Sequence, residues 1–197
     1  MGLAQLQKVL AQLYTDAALR KEFFTDPQTT APMLGLSVAE AMQLVGLCLP
    51  ITRFAHSLHH KRRDEAGQFL YFTQRALGAQ FDTIFLEYAN SYLPEGINKP
   101  REDAIAFVAF LERTAPIHYN DIQPWIIEVA RYEADRLIMQ ESGKHWQIRL
   151  FFYPISEILQ NLAAGVDVPQ MQRRFVVALW WRTGNQSPLQ QRLWQFP

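Results

Sequence analysis

The sequence predicts a mainly α (α+β) protein: a multi-helix body with a small two-stranded α/β tail at its C-terminus. Apolar residues recur at spacings of three and four through most of the chain, the period of a helix face. After Gly143 the pattern changes to apolar–polar alternation and then to β-branched and aromatic runs, which are strand signals. Four of the five tryptophans fall in that last quarter.

The elements follow in order. Leu3, Leu6, Val9, Leu10 and Leu13 draw one apolar stripe, so the chain opens on a helix. Thr15 or Asp16 can cap the next helix, which would bury Leu19, Phe23 and Phe24. Asp26-Pro27 starts a third, since proline is tolerated in a first helical turn. Gly35 stops it, and Ser37 with Glu40 forms a capping box for a fourth that runs toward Leu47. Pro50 begins a second stretch, in which Ile51, Phe54, Ala55 and Leu58 share a face. Gln68 to Leu77 continues as helix, with Gly78 as its left-handed cap. Phe81, Ile84, Phe85, Tyr88 and Tyr92 form the most regular stripe and predict a core helix.

Pro94, Glu95 and Gly96 read as a loop. Pro100 then opens a helix with Glu102 and Asp103 at its positive end and Ile105, Phe107, Val108, Phe110 and Leu111 inward. Ile122 to about Met139 is the next helix. In the tail, Trp146 to Tyr153 predicts one strand, Ile155 to Ala163 a short helix closed by Gly165, and Phe175 to Trp181 a second strand. The expected organisation is a helical module over residues 1–47, a helical body over 48–142 and an α/β tail over 143–197 packed on that body.

At 197 residues the chain is long enough to bury about 70% of its surface. Its 49% hydrophobic content argues against disorder, and one cysteine, Cys48, precludes an intrachain disulfide. No run of 18 apolar residues occurs, so no membrane span is expected. The opening MGLAQLQKVLAQLYTD lacks the basic start and apolar run of a signal peptide, and the expectation is a cytoplasmic protein. The formal charge of zero divides unevenly. Residues 53–75 sum to +3, residues 87–141 to −5 and residues 145–197 to +3.

The basic strip is the first candidate for binding. Arg53, His56, His60, Lys61, Arg62, Arg63 and Arg75 could meet phosphates or acidic side chains. A pI near 7, and Asp64 and Glu65 inside the strip, favour an acidic protein or peptide over nucleic acid. A DNA-binding regulator stays as an alternative. Trp180 and Trp181 are the second candidate: at an open sheet edge their strand could accept another chain as an added strand. His56 and His60, four apart, have zinc-ligand spacing beside His59. A metal-dependent enzyme using these three histidines is a further alternative. The glutamate of a metalloprotease motif is missing between His56 and His60. Cys48 sits in an apolar setting and reads as a buried structural thiol. Glu128, Glu133 and Asp135 share a helix with Arg131 and Arg136; Glu128 stands three residues before Arg131 and Glu133 three before Arg136, which suits intrahelical ion pairs, and Glu133 also reads as a paired interior carboxylate. Neither a nucleophile elbow nor a phosphate loop occurs. No catalytic residue, metal site or cofactor is expected.

The order of features from about residue 47 to 137 includes Leu77-Gly78-Ala79-Gln80-Phe81, then Phe85, Tyr88 to Tyr92 and Pro94. It continues with Phe107-Val108-Ala109-Phe110-Leu111 and Val129-Ala130-Arg131-Tyr132-Glu133. This arrangement resembles a bacterial family named for a DNA-binding domain. That family includes the partner proteins of multinuclear iron oxidases that modify ribosomally made peptides, as in methanobactin biosynthesis. Residues 53–111 also resemble a helical domain found C-terminal to such oxidases, and residues 1–47 resemble small helical domains appended to enzymes. The resemblance implies a non-catalytic partner with a helical body and a β-containing tail. Its implied partner is an iron oxidase or the precursor peptide that the oxidase modifies.

Overall fold

Side-chain caps set the first breaks in the chain. In the computed structural model, which describes residues 3–92, 99–141, 145–168, 171–184 and 187–196, α1 (Leu3–Thr15) ends against the cap of α2 (Ala17–Thr25). The Asp16 carboxylate accepts the Leu19 N–H at 2.8 Å. Asp26 accepts the Thr29 N–H at the head of α3 (Pro27–Met33), where Pro27 takes the first position. Gly35 follows at φ 69°, which only glycine adopts without strain. The capping box at α4 (Val38–Gly46) is complete, with Ser37 N–H donating to Glu40 and Glu40 N–H donating to Ser37 Oγ.

The chain forms two compact units, drawn differently from the 1–47, 48–142 and 143–197 segments. One comprises residues 1–63 and 86–93, the other residues 64–85 and 94–197. Two helices, α5 (Cys48–Phe69) and α7 (Gln80–Ser91), contribute residues to both. The first unit is built on Val9, Leu13, Phe23, Leu44 and Ile51, all buried. Arg20 is buried among them, and its guanidinium donates to the Leu13 carbonyl at 2.8 Å, satisfying the C-terminal end of α1.

The second unit is organised by α9 (Pro124–Glu141), which packs against α6 (Tyr71–Leu77), α8 (Lys99–His118), α10 (Ile155–Ala164) and the strand β1 (Trp146–Phe151). A cluster of Phe81, Phe85 and Phe107, with ring centroids 5.2–5.9 Å apart, joins α7 to α8. The predicted helix over residues 68–77 is broken at Leu70, where α5 ends and α6 begins. Leu70 has no side chain able to cap, so α6 starts with open N–H groups. Glu133 of α9 supplies the cap from 60 residues away: its carboxylate accepts the Thr73 N–H at 2.8 Å, the Thr73 hydroxyl at 2.6 Å and the Phe72 N–H at 3.0 Å. Gly78 closes α6 at positive φ but with ψ −130°, outside the left-handed helical region expected of it; Gly165 does adopt that region at the end of α10. The expected loop at Pro94, Glu95 and Gly96 and the break at Gly143 lie outside the described residues.

The tail departs from expectation in one respect. The sequence predicts two strands, and the sheet has three: β1, β2 (Val176–Trp181) and β3 (Gln190–Gln195), antiparallel in the order β1-β2-β3. Gln190-Gln191-Arg192-Leu193-Trp194-Gln195 has four polar residues in six and no hydrophobic alternation. Ladder bonds to β2 place it there, and an edge strand tolerates that composition.

The Glu133 cap generates a prediction. Burial pushes this carboxyl up, and the Thr73 hydroxyl and the two N–H donors draw it partly back. Its folded value therefore lies above the unfolded one of about 4.3. Its contribution to stability is full below about pH 4.3 and is lost as pH rises through the raised value. Glu133→Gln should cost about 2 kcal/mol, because one acceptor oxygen is lost while Thr73 stays buried. The gap between wild type and variant, read by urea unfolding, should narrow from about pH 4 toward neutrality. A gap that widens would reverse the assigned sign.

Candidate functional site

Strand alternation gives the sheet two chemically different faces. The register pairs Gln147 with Trp180, Arg149 with Ala178 and Phe151 with Val176 on one face. On the other it pairs Trp146 with Trp181, Ile148 with Leu179 and Leu150 with Val177, and carries on to Gln190, Arg192 and Trp194 of β3.

Helix α9 covers the first, inner face. Tyr132 packs on Phe151 and Trp180, and its hydroxyl donates to Gln191. Asp135, buried, accepts Arg149 Nε and Nη2 at 2.7 Å each and Gln147 Nε2 at 2.8 Å. Glu128, also buried, accepts the Phe152 N–H where the chain leaves β1; burial pushes its carboxyl up against that bond. The expected intrahelical ion pairs are therefore replaced. Glu128, Glu133 and Asp135 point into the protein toward other elements, and Arg131 pairs with Glu112 of α8 at 2.5 Å.

The outer face is open. Trp146, Ile148 and Leu150 stand in a row 65%, 58% and 44% exposed, beside half-buried Val177, Leu179 and Trp181. Phe152 and Phe175, both exposed, stack edge-on at its border. On β3 the Arg192 guanidinium lies 5.3 Å from the centre of the Trp194 ring. A row of large apolar side chains with an arginine-capped tryptophan is a composition suited to holding another polypeptide. Sequence reading missed Trp146, Ile148, Leu150, Arg192 and Trp194 as surface residues. The signal was present in the alternation from Trp146 to Leu150, but nothing in it says which side is covered.

Trp181 belongs to this face, while Trp180 does not: it is fully buried between Tyr132 and Phe151. Their strand is also the central one, so it has no open edge to accept an added strand. The basic strip is likewise divided. Arg53, His56 and His60 lie along the outward side of α5 with Lys61 next to them, all exposed. Arg62 turns inward, donating to the Tyr92 carbonyl at 2.8 Å and the Ala89 carbonyl at 3.3 Å beside the Tyr88 ring. Arg63 is half-buried. Arg75 belongs to the second unit and donates to the Tyr71 hydroxyl.

The histidines do not converge, since His59 is buried while His56 and His60 are exposed. Among the described residues no three His, Cys, Asp or Glu side chains come together to hold a metal ion. Cys48 is only half-buried at the start of α5 rather than enclosed. A cavity of about 380 Å³ beside Glu128 has its charges engaged already, in the Arg131–Glu112 pair and the Glu128–Phe152 bond. No single helix among the described residues is long and apolar enough to cross a membrane; α4 and α5 meet that test only together, as a pair bent by 65°. Neither a protein-family model nor a curated protein matches this chain.

Two measurements follow from these placements. Arg62→Glu should destabilise the protein by about 1–3 kcal/mol, because it removes the donor to the end of α7. Arg53→Glu should stay within about 0.5 kcal/mol, and paired denaturation curves distinguish the two. His59 governs a pH effect. Burial pushes its imidazole down, and Arg62, Arg20, His56 and His60 push the same way, while its Nδ1 is buried with no hydrogen-bond partner among the described residues. The unfolded chain, at about 6.5, takes up a proton first. Stability from this group is full above about pH 6.5 and is lost as pH falls toward the depressed folded value. His59→Gln should flatten the fall in unfolding midpoint between about pH 7 and 5. A variant as acid-sensitive as wild type would assign the slope to other groups.

Proposed function

We propose that this chain is a non-catalytic partner protein that binds a protein or peptide through the outer face of its sheet. One observation carries the reading: an antiparallel sheet with one face to solvent normally alternates apolar-in and polar-out, and here the outward positions of β1 are Trp146, Ile148 and Leu150. Leaving three such side chains in water has no benefit for the folded monomer, whereas covering them would release about 25 cal/mol per Å² of apolar surface. Trp181, Trp194 and Arg192 add the residue types most often found to dominate binding energy at interfaces. The resemblance to partners of iron oxidases supports the same class of role and names the partner to seek first: an iron oxidase or its precursor peptide, in the bacterial cytoplasm.

The double variant Ile148→Ser with Leu150→Ser tests this directly. Both side chains are exposed, so the unfolding midpoint should stay close to wild type. Full-length wild type and variant, immobilised at equal density, should differ in what they retain from an extract of the native cell. A partner held by wild type and lost by the variant is the expected result. Identical retention by both would move the binding surface elsewhere, the outward side of α5 being next.

A further inference from the structure

We infer that the outer sheet face takes an acid-flanked amphipathic helix of a partner protein, with Arg192 as the cation that meets its carboxylates. The inference rests on the reading of that face as a binding surface and adds the chemistry of what binds.

The charge distribution selects an acidic partner. The three strands contain no acidic residue, and from residue 171 onward the chain has four arginines and no Asp, Glu or Lys. Some of this charge is already engaged. Arg149 is neutralised by Asp135 on the inner face, Arg182 donates to the Met139 carbonyl, and Arg173 lines the same cavity as Tyr153 and Glu128. Arg192 is exposed at an outward register position, opposite Leu179, and among the described residues its partner is the Trp194 ring. Arg174, exposed just before β2, has no ion pair among the described residues. An apolar platform carrying a cation and no anion is complementary to apolar side chains bordered by carboxylates.

The same argument disfavours a second copy. A twofold pairing of sheet faces sets each patch against itself. It would bury Arg192 from both chains in one interface to which the strands bring no carboxylate, an uncompensated desolvation. Single-stranded nucleic acid could stack on tryptophans, but needs cations along its backbone. Here the middle of the face is Ile148, Leu150, Val177 and Leu179, and Arg192 is the one cation that the strands place on it among the described residues.

Size and layering favour a helix. Six-residue strands span about 20 Å, and three of them about 10–15 Å across, the footprint of a helix of about 13 residues. Helix α9 already covers the inner face, and a helix on the outer face would complete a three-layer stack.

The test uses the full chain and two synthetic helical peptides of about 14 residues. Both carry the same leucine stripe, one flanked by Glu and the other by Lys. Tryptophan fluorescence at about 50 mM salt should show the Glu peptide binding at least about tenfold more tightly, with the advantage shrinking to about twofold near 0.5 M salt. Arg192→Gln should reduce the advantage several-fold by weakening the Glu peptide, with the Lys peptide bound at least as tightly as before. Ile148→Ser with Leu150→Ser should weaken both. Equal binding of the two peptides, lost in the Ile148/Leu150 variant, overturns the charge preference and leaves the binding face standing. Binding of neither, or binding indifferent to that variant, overturns both readings. A dT oligonucleotide of similar length that binds as tightly as the Glu peptide would also overturn the inference, in favour of a nucleic-acid platform.

Discussion

A carboxylate taken out of water must find donors, and α9 buries three of them. Glu133, Glu128 and Asp135 find donors at three separate places: the head of α6, the exit from β1, and the inner side chains of β1. An apolar helix could slide or rotate against its neighbours at small cost. This one cannot, because each carboxylate left unmet would cost several kcal/mol. The three contacts therefore fix rotation and register of α9, and through it the placement of the sheet. Apolar packing of Phe81, Phe107 and Trp180 supplies attraction; the buried acids supply uniqueness.

That division of labour explains why the inward side chains of β1 include polar ones and its outward side chains do not. The inner face has Arg149, Gln147 and Gln191 because α9 presents Asp135 and the Tyr132 hydroxyl to them. Among the described residues no such partner faces Trp146, Ile148 and Leu150, and their side chains carry no polar group needing one except the indole N–H. The open face is thus left without a geometric constraint of its own, which suits a surface that has to accept a separate polypeptide.

Much of the helical fold was readable because local rules decided it. Asp16, Asp26, Ser37 with Glu40, and Gly165 each end or begin a helix for reasons contained within a few residues. The misses came where distant residues decide. The break at Leu70 depends on Glu133, and β3 depends on ladder bonds that its composition does not advertise. Spacing alone made Glu128 look like an intrahelical partner of Arg131; Glu133 read as an interior carboxylate, but spacing could not name its donors on α6. For the candidate site, the pair Trp180 and Trp181 was noticed as an aromatic feature. Which of the two faces outward followed only from register, and so did the recruitment of Trp146 and Trp194 to the same surface. The basic strip was visible as charge, but the inward turn of Arg62 was not, because its acceptors are carbonyls at the end of α7.

The long-range cap on α6 also orders events in time. During synthesis, the N–H groups at the start of α6 emerge some 60 residues before the carboxylate that satisfies them. At about 5–20 residues per second, that interval is several seconds. Through it, residues 71–77 have only their own weak propensity, too short a segment to hold a helix unaided. The second unit is thus one in which an early element waits for a late one, and α9 is the point at which the nascent chain commits.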